Sequence, residues 1–336
     1  MSPVGGLRGV LEAARALRTT GAPFALALVA DTEGSTYRKA GALAVVAADG
    51  ARTGTISGGC LEPALVALCQ QVIAGTRAAH TVFDTRGDDD LLFGSGSGCR
   101  GRMRVVAWPL PGTGDGLLDA LLSADEAGRA LALVVSEVDA VPRWRVGSTD
   151  ASVNDGAAPF VANGVASTSA SGATDGDILV RIAPVPRLLV LGAGPEAAPL
   201  LTLARTLGWH ARAADHREGL LAQAALPPDV PREVRRPAAA LAAATRPDDA
   251  VLVMTHLASA DLEALRALAP MAVPYVGLLG PPGRRDELLA MLSEEERAAL
   301  QPRLRAPVGL FLGGEGPEAI ALAITADLQR HFHAAR

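Results

Sequence analysis

The chain has 336 residues, of which 49% are hydrophobic and only 3% aromatic, with 36 acidic against 31 basic side chains and a formal charge of −5. Length gives a prior of about two domains, and the apolar content is ample for sizeable cores. The mild charge, the missing lysine-rich run and the scarcity of aromatic rings exclude a nucleic-acid platform as the expected role.

No secretory signal shows at the start, and the apolar run 22–30 is too short to span a bilayer, so no membrane partner and a cytoplasmic location are expected. Three cysteines, Cys60, Cys69 and Cys99, make a poor disulfide framework and read as free thiols in a reducing compartment. Residues 7–18 carry an amphipathic helical pattern, and 24–30 read as a strand. The runs 43–47 and 52–56 flank Asp49-Gly50, a strong hairpin turn. A helix follows at 61–73, with Leu61, Leu65, Leu68 and Val72 on one stripe. Strands are expected at 102–108 and 130–135, around a helix at 116–126. The stretch 148–177 is rich in Ser, Gly, Ala and Asp without helical period, and reads as a loop or linker.

From Arg187 the texture changes to alternating strand and helix: the run 187–218 reads as strand, glycine turn, helix, strand, with later strands expected at 233–236, 250–254 and 274–277 and a last helix at 317–329. The expected fold is therefore α/β: an N-terminal α+β domain (1–147), the linker (148–177), and a Rossmann-like doubly wound parallel sheet (178–336).

Gly192-Ala193-Gly194-Pro195-Glu196-Ala197 fits G-x-G-x-x-A between a strand and a helix. Gly192 suits the tight turn and Gly194 the approach of a pyrophosphate. Asp215, about 20 residues on, stands where a ribose-binding carboxylate belongs. NAD(P) is thus a candidate cofactor, although Glu196 places a negative charge at the mouth where the pyrophosphate would go. His256 ends the strand VLVMTH, as an acid–base group or a hydrogen-bonded loop histidine; Arg284 and Arg285 could meet a phosphate or form a solvated helix face.

Two glycine loops present thiols. Cys60 follows Gly58 and Gly59 just before a helix, where the positive end of the dipole favours a thiolate. Cys99 lies among Gly94, Gly96, Gly98 and Gly101, flanked by Arg100 and Arg102. Cys69, in the middle of the helical stripe, reads as a small buried hydrophobe. There is no C-x-x-C pair, no H-E-x-x-H helix and no G-x-S-x-G elbow, so neither zinc nor a serine hydrolase is indicated. Thiolates suit soft or sulfur-rich metals, and glycine-loop amides suit a phosphate; a phosphorylated cofactor carrying metal and sulfur would use both. Thr36, Arg38 and Lys39 add a hydroxyl and two cations for an anion, or are ordinary surface polarity. Asp84 in FDT and Asp88, Asp89 and Asp90 are expected to shape loops through Asx-type turns.

The ordered series GSTYRKAGA, GTISGGCLE, FDT, DDDLLFGSGSGCRG, LLVLGAGP, DHR, VMTH, YVGLLG and APVGL resembles the XdhC/CoxI family of xanthine dehydrogenase accessory factors over most of the chain. The resemblance implies a cofactor-binding chaperone rather than a catalyst. Its ligand would be molybdenum cofactor and its partners a cysteine desulfurase, which sulfurates the cofactor, and an apo molybdenum hydroxylase that receives it. Cys60 and Cys99 would touch the metal, with Gly58, Gly59, Gly96 and Gly98 lending amides and Arg38 and Lys39 meeting phosphate. Serines and Arg100 replace residues of the family's usual glycine loop, and Phe311 and Leu257 stand where acids are usual. The alternative is an NAD(P)-dependent oxidoreductase built on the C-terminal domain, using Gly192, Gly194 and Asp215 with His256 as acid–base group. A homodimer is the default oligomer.

Overall fold

The structure is a computed structural model that describes residues 4–86, 100–138, 140–147, 177–244 and 248–334. Residues Gly5–Val185 form one compact unit and Pro186–Arg336 another.

The first unit is built on a five-stranded antiparallel sheet. Helix α1 (Gly6–Thr20) leads into β1 (Phe24–Gly34), followed by β2 (Leu43–Ala47), β3 (Arg52–Thr53), α2 (Glu62–Gly75), β4 (Ala79–Asp84) and β5 (Gly101–Leu110). The strand order is β3-β2-β1-β5-β4. Both faces of β1 are buried, which explains its unbroken apolar run. Phe24, Leu26 and Leu28 enter one core with Val106 and Trp108, while Ala25, Ala27 and Val29 enter a second with Leu65, Cys69 and Val72 of α2. Small side chains on the α2 face let the helix lie close, and larger ones fill the other side.

The β2–β3 turn forms at Asp49-Gly50 as its chemistry requires: the Ala51 N–H donates to Asp49 Oδ1 at 2.8 Å, and Gly50 takes φ +87°. The expected strand 52–56 stops at Thr53. Gly54 turns at φ +92°, where a Cβ would lie 2.5 Å from the Leu43 carbonyl oxygen, and the chain beyond leaves the sheet for the cysteine corner. Helix α3 (Asp115–Ala127) then precedes β6 (Leu131–Val138), β7 (Val141–Val146) and β8 (Ile178–Ile182), a second antiparallel sheet in the order β7-β6-β8. The segment 148–176 lies outside the described residues, and the strands on either side of it both pair with β6.

The second unit has the Rossmann order. Strands β9 (Arg187–Leu191), β10 (His210–Asp215), β11 (Arg232–Val234), β12 (Ala250–Val253), β13 (Tyr275–Leu278) and β14 (Leu304–Arg305) form a parallel sheet ordered β11-β10-β9-β12-β13-β14. Its connections carry α4 (Ala197–Thr206), α5 (Glu218–Gln223), α6 (Pro237–Ala242), α7 (Ala258–Leu268), α8 (Pro282–Ala290) and α9 (Glu294–Leu300), and α10 (Pro317–Ala334) closes the chain. One core joins α4 and α10 to the sheet and the other joins α6, α7 and α9, so helices cover both faces. The order reverses between β9 and β12, the place where open α/β sheets form a ligand crevice at their carboxyl edge.

Candidate functional site

In the first unit, one sheet edge gathers three loops. Gly34 at the end of β1 pairs with Gly101 at the start of β5, and Asp84 at the end of β4 pairs with Arg102. Loops 35–42, 54–61 and 85–100 therefore leave the same edge. The loop bearing Cys99 is closed at its base by Thr85: its N–H donates to the Gly101 carbonyl at 2.9 Å, and its Oγ1 donates there at 3.0 Å. Asp84 makes the expected Asx turn to the Arg86 N–H (3.2 Å) and pairs with the Arg86 guanidinium, which also reaches Glu33 at 2.9 Å. The Arg86 hydrogen bond holds the Asp84 carboxyl well below the usual carboxylate range. Cys99, Gly96, Gly98 and Asp88, Asp89 and Asp90 lie outside the described residues.

The Cys60 corner is held from beneath by a carboxylate. Glu62, buried at the start of α2, accepts the Ile56 N–H at 3.2 Å and the Ser57 N–H at 3.0 Å, and accepts the Ser57 hydroxyl at its other oxygen. Ser57 Oγ in turn accepts the N–H groups of Gly59 and Leu61, both at 3.1 Å. Arg52 stands 3.5 Å from Glu62. Burial pushes this carboxyl up, but the Ser57 and Ile56 bonds and the Arg52 charge outweigh it and hold it below its ordinary value.

Cys60 sits exposed on the outer side of that clamp. A Cβ at Gly59 would meet no atom within 4 Å, and one at Gly58 would meet only the Tyr37 ring, at 3.7 Å. The corner is thus open to solvent and faces loop 35–42. There Arg38 is half-buried, and the exposed Lys39 Nζ lies 3.4 Å from both Thr36 Oγ1 and the Gly34 carbonyl. So the structure brings Gly58, Gly59, Cys60, Arg38 and Lys39 to one edge. Among the described residues no group of three His, Cys, Asp or Glu side chains could hold a metal ion by itself.

Cys69 differs from Cys60. It is fully buried against the sheet, and burial pushes its thiol up to about 12. Iodoacetamide at mildly alkaline pH is therefore expected to modify Cys60 in the native protein and to reach Cys69 only on unfolding, read by peptide mass. Equal labelling rates at the two positions would refute this assignment.

At the carboxyl edge of the parallel sheet, Gly192 turns at φ +125°, where a Cβ would lie 2.2 Å from the Met254 carbonyl oxygen; glycine is required for β9 and β12 to approach. Asp215, 2% exposed, accepts the Ala193 N–H (2.9 Å), the Arg217 N–H (2.9 Å) and the Arg217 guanidinium at Nε (2.9 Å) and Nη2 (2.7 Å). Arg217 Nη2 also donates to the Thr255 carbonyl at 2.8 Å. Burial raises this carboxyl, and the Arg217 and Ala193 bonds more than reverse that, leaving it below the usual range. Beside it, Thr255 Oγ1 donates to the buried Asp261 at 2.6 Å, and Arg284 donates to the other Asp261 oxygen at 2.7 Å. Arg285 is engaged with Asp286 (2.8 Å) and the Ala306 carbonyl (3.0 Å). His256 has φ +61°, and its Nε2 lies 3.1 Å from Glu196 Oε2. Phe311 and Leu257 are both exposed. The Glu62 clamp, the Thr85 closure and the Arg217 partnership escaped sequence reasoning. Their sequence signals are an acid two residues past Cys60, the threonine of FDT and an arginine two past Asp215.

Fold and site together define a two-unit α/β protein of the Rossmann class. Residues 188–328 match the XdhC Rossmann domain, and residues 17–84 match the XdhC and CoxI family. A Bacillus subtilis strain 168 protein, described as a probable xanthine dehydrogenase component, is 29% identical over 319 residues, 90% of this chain and 91% of that protein. An uncharacterized Escherichia coli K12 protein, YqeB, is 34% identical over 149 residues, 43% of this chain and 27% of its own length. A crystal structure described as a xanthine dehydrogenase from Bacillus halodurans matches with a TM-score of 0.78 at 30% identity, covering 97% of this chain and 96% of that one. The chain belongs to the XdhC/CoxI family, and is thereby related to xanthine dehydrogenase accessory factors. Among the described residues no helix is long and apolar enough to cross a membrane.

Proposed function

We propose that the protein is a maturation factor for a xanthine dehydrogenase-like molybdenum hydroxylase, binding molybdenum cofactor through the Cys60 edge of the first unit. The observation that carries the reading is the exposed Cys60 thiol, set on an open glycine corner and held rigidly by Glu62, on the sheet edge that also carries Arg38 and Lys39. These residues fit the group chemically. A thiol suits the molybdenum and sulfur end, and the cations with the amide of Gly58 suit its phosphate, while the bare Gly59 lets it approach the backbone. Cys99, with Gly96 and Gly98, would join from the loop whose base Thr85 closes. The redox chemistry that the cofactor supplies would be the client's, and sulfur would come from a cysteine desulfurase. The role of this chain would be to hold and shield the cofactor until the apo-hydroxylase receives it.

Purification from cells that make molybdenum cofactor tests the reading. Molybdenum and oxidised-pterin fluorescence at about one per chain are expected for the native protein. Both should be lost in a Cys60→Ala, Cys99→Ala double variant whose circular dichroism is unchanged. Full retention in that variant would remove both thiols from the site; no metal and no pterin in the native protein would remove the reading itself.

A further inference from the structure

We propose that the Rossmann crevice of the second unit supplies its own anion. The Glu196 carboxylate, held by His256, stands where the pyrophosphate of a dinucleotide would meet the glycine loop, and excludes it. This inference is independent of the cofactor reading of the first unit.

In a pyrophosphate-binding loop the second glycine is bare, so that the phosphates can approach the backbone and the first amides of the following helix. Here that space is filled. A Cβ at Gly194 would lie 2.8 Å from His256 Nε2, 2.9 Å from His256 Cδ2 and 3.1 Å from Glu196 Oε2. Gly192 and Gly194 are both buried, in contrast with the open Gly58 and Gly59. Glu196 immediately precedes α4, and its side chain is only 8% exposed. It places a negative charge at the positive end of that helix, the role an incoming phosphate would otherwise take. His256 reaches it from the end of β12 in a left-handed backbone conformation that non-glycine residues rarely adopt. Such a conformation persists where the surrounding contacts over-determine it.

The ribose end is occupied as well. Both oxygens of Asp215 are shared among the Ala193 amide and the Arg217 backbone and guanidinium. A ribose hydroxyl would have to displace one of these charge-assisted bonds. The residues present therefore do not fit NAD(P), although the backbone pattern G-x-G-x-x-A does.

Calorimetric titration of the full chain with ADP, NAD and adenosine tests this. Glu196→Gln removes the charge and keeps the shape. His256→Gly empties the space in front of Gly194 and suits the positive φ, so it provides a second variant should the first fold poorly. ADP and NAD are expected to bind each folded variant at least ~10-fold more tightly than the native chain. Adenosine, which lacks the pyrophosphate, should not distinguish them. The proposal is overturned by any of three results: native binding of ADP or NAD at low micromolar Kd, no gain in either folded variant, or an equal gain for adenosine.

Discussion

Replacing Arg217 by alanine is expected to destabilise the second unit by about 3–5 kcal/mol, the cost of stranding a buried carboxylate without its counter-charge. Asp215 is 2% exposed, and Arg217 supplies three of the four hydrogen bonds it accepts. The alanine variant keeps the backbone bond at position 217 and that from Ala193, but loses both guanidinium bonds and the charge. The same change frees the Thr255 carbonyl, so the carboxyl ends of β10 and β12 lose their tie. The pH dependence has a definite sign. The folded Asp215 carboxyl lies below its unfolded value of about 4, so its contribution is present above that pH and is lost as pH falls through the folded value. Without the guanidinium, only the two backbone bonds remain to oppose burial, which raises the carboxyl. The variant should be most destabilised relative to the native chain at neutral pH, and the gap should narrow on acidification. Urea unfolding at neutral and acidic pH measures both effects. A loss under about 1 kcal/mol at neutral pH, within the range of a surface pair, would show that the Asp215–Arg217 contact is not structural.

Glu62→Ala should have the second largest effect, a loss of about 3 kcal/mol, because it removes the acceptor of three buried donors at once. Those donors are the N–H groups of Ile56 and Ser57 and the Ser57 hydroxyl. Ser57→Ala should cost less, about 1–2 kcal/mol, since it removes the acceptor of the partly buried Gly59 and Leu61 amides but keeps the carboxylate on the backbone. The Glu62 carboxyl is also held below its ordinary value, so its contribution is again lost on acidification and intact at neutral pH. Thermal unfolding of the two variants orders the costs. The corner carries Cys60, so under the function proposed above Glu62→Ala should also loosen molybdenum retention, and Ser57→Ala less so. A variant with unchanged melting would mean that the corner is held by the sheet alone.

Much of this could be read from the chain. The apolar run of β1, the Asp49-Gly50 turn, the α2 stripe and the strand–glycine–helix signature after Arg187 all rest on local periodicity and turn chemistry, which a few consecutive residues express. The two glycine-loop cysteines separated from Cys69 on the same ground, since a thiol inside a helical apolar stripe is buried wherever that stripe packs; the structure shows this for Cys60 and Cys69. Strand β4 was not legible, because AHTVFD has weak alternation and becomes a strand by pairing with β5 along Ala79–Asp84.

The amino-acid sequence by itself determined the classes of element, the alternating strands and helices of the Rossmann half, and the glycine corners that present thiols, because propensity, periodicity and turn residues act over a few positions. Only the tertiary structure decided what the charged groups do. Asp215 turns from a free carboxylate into the partner of Arg217 because β10 ends beside the Ala193 amide and the Thr255 carbonyl. Glu196 meets His256 across a separation of 60 residues because β9 and β12 are neighbours in the sheet. Glu62 holds the Cys60 corner because the chain leaves β3 at Gly54 and folds back under the start of α2. Contacts of that kind are set by which strands lie side by side, and no local pattern in the chain records them.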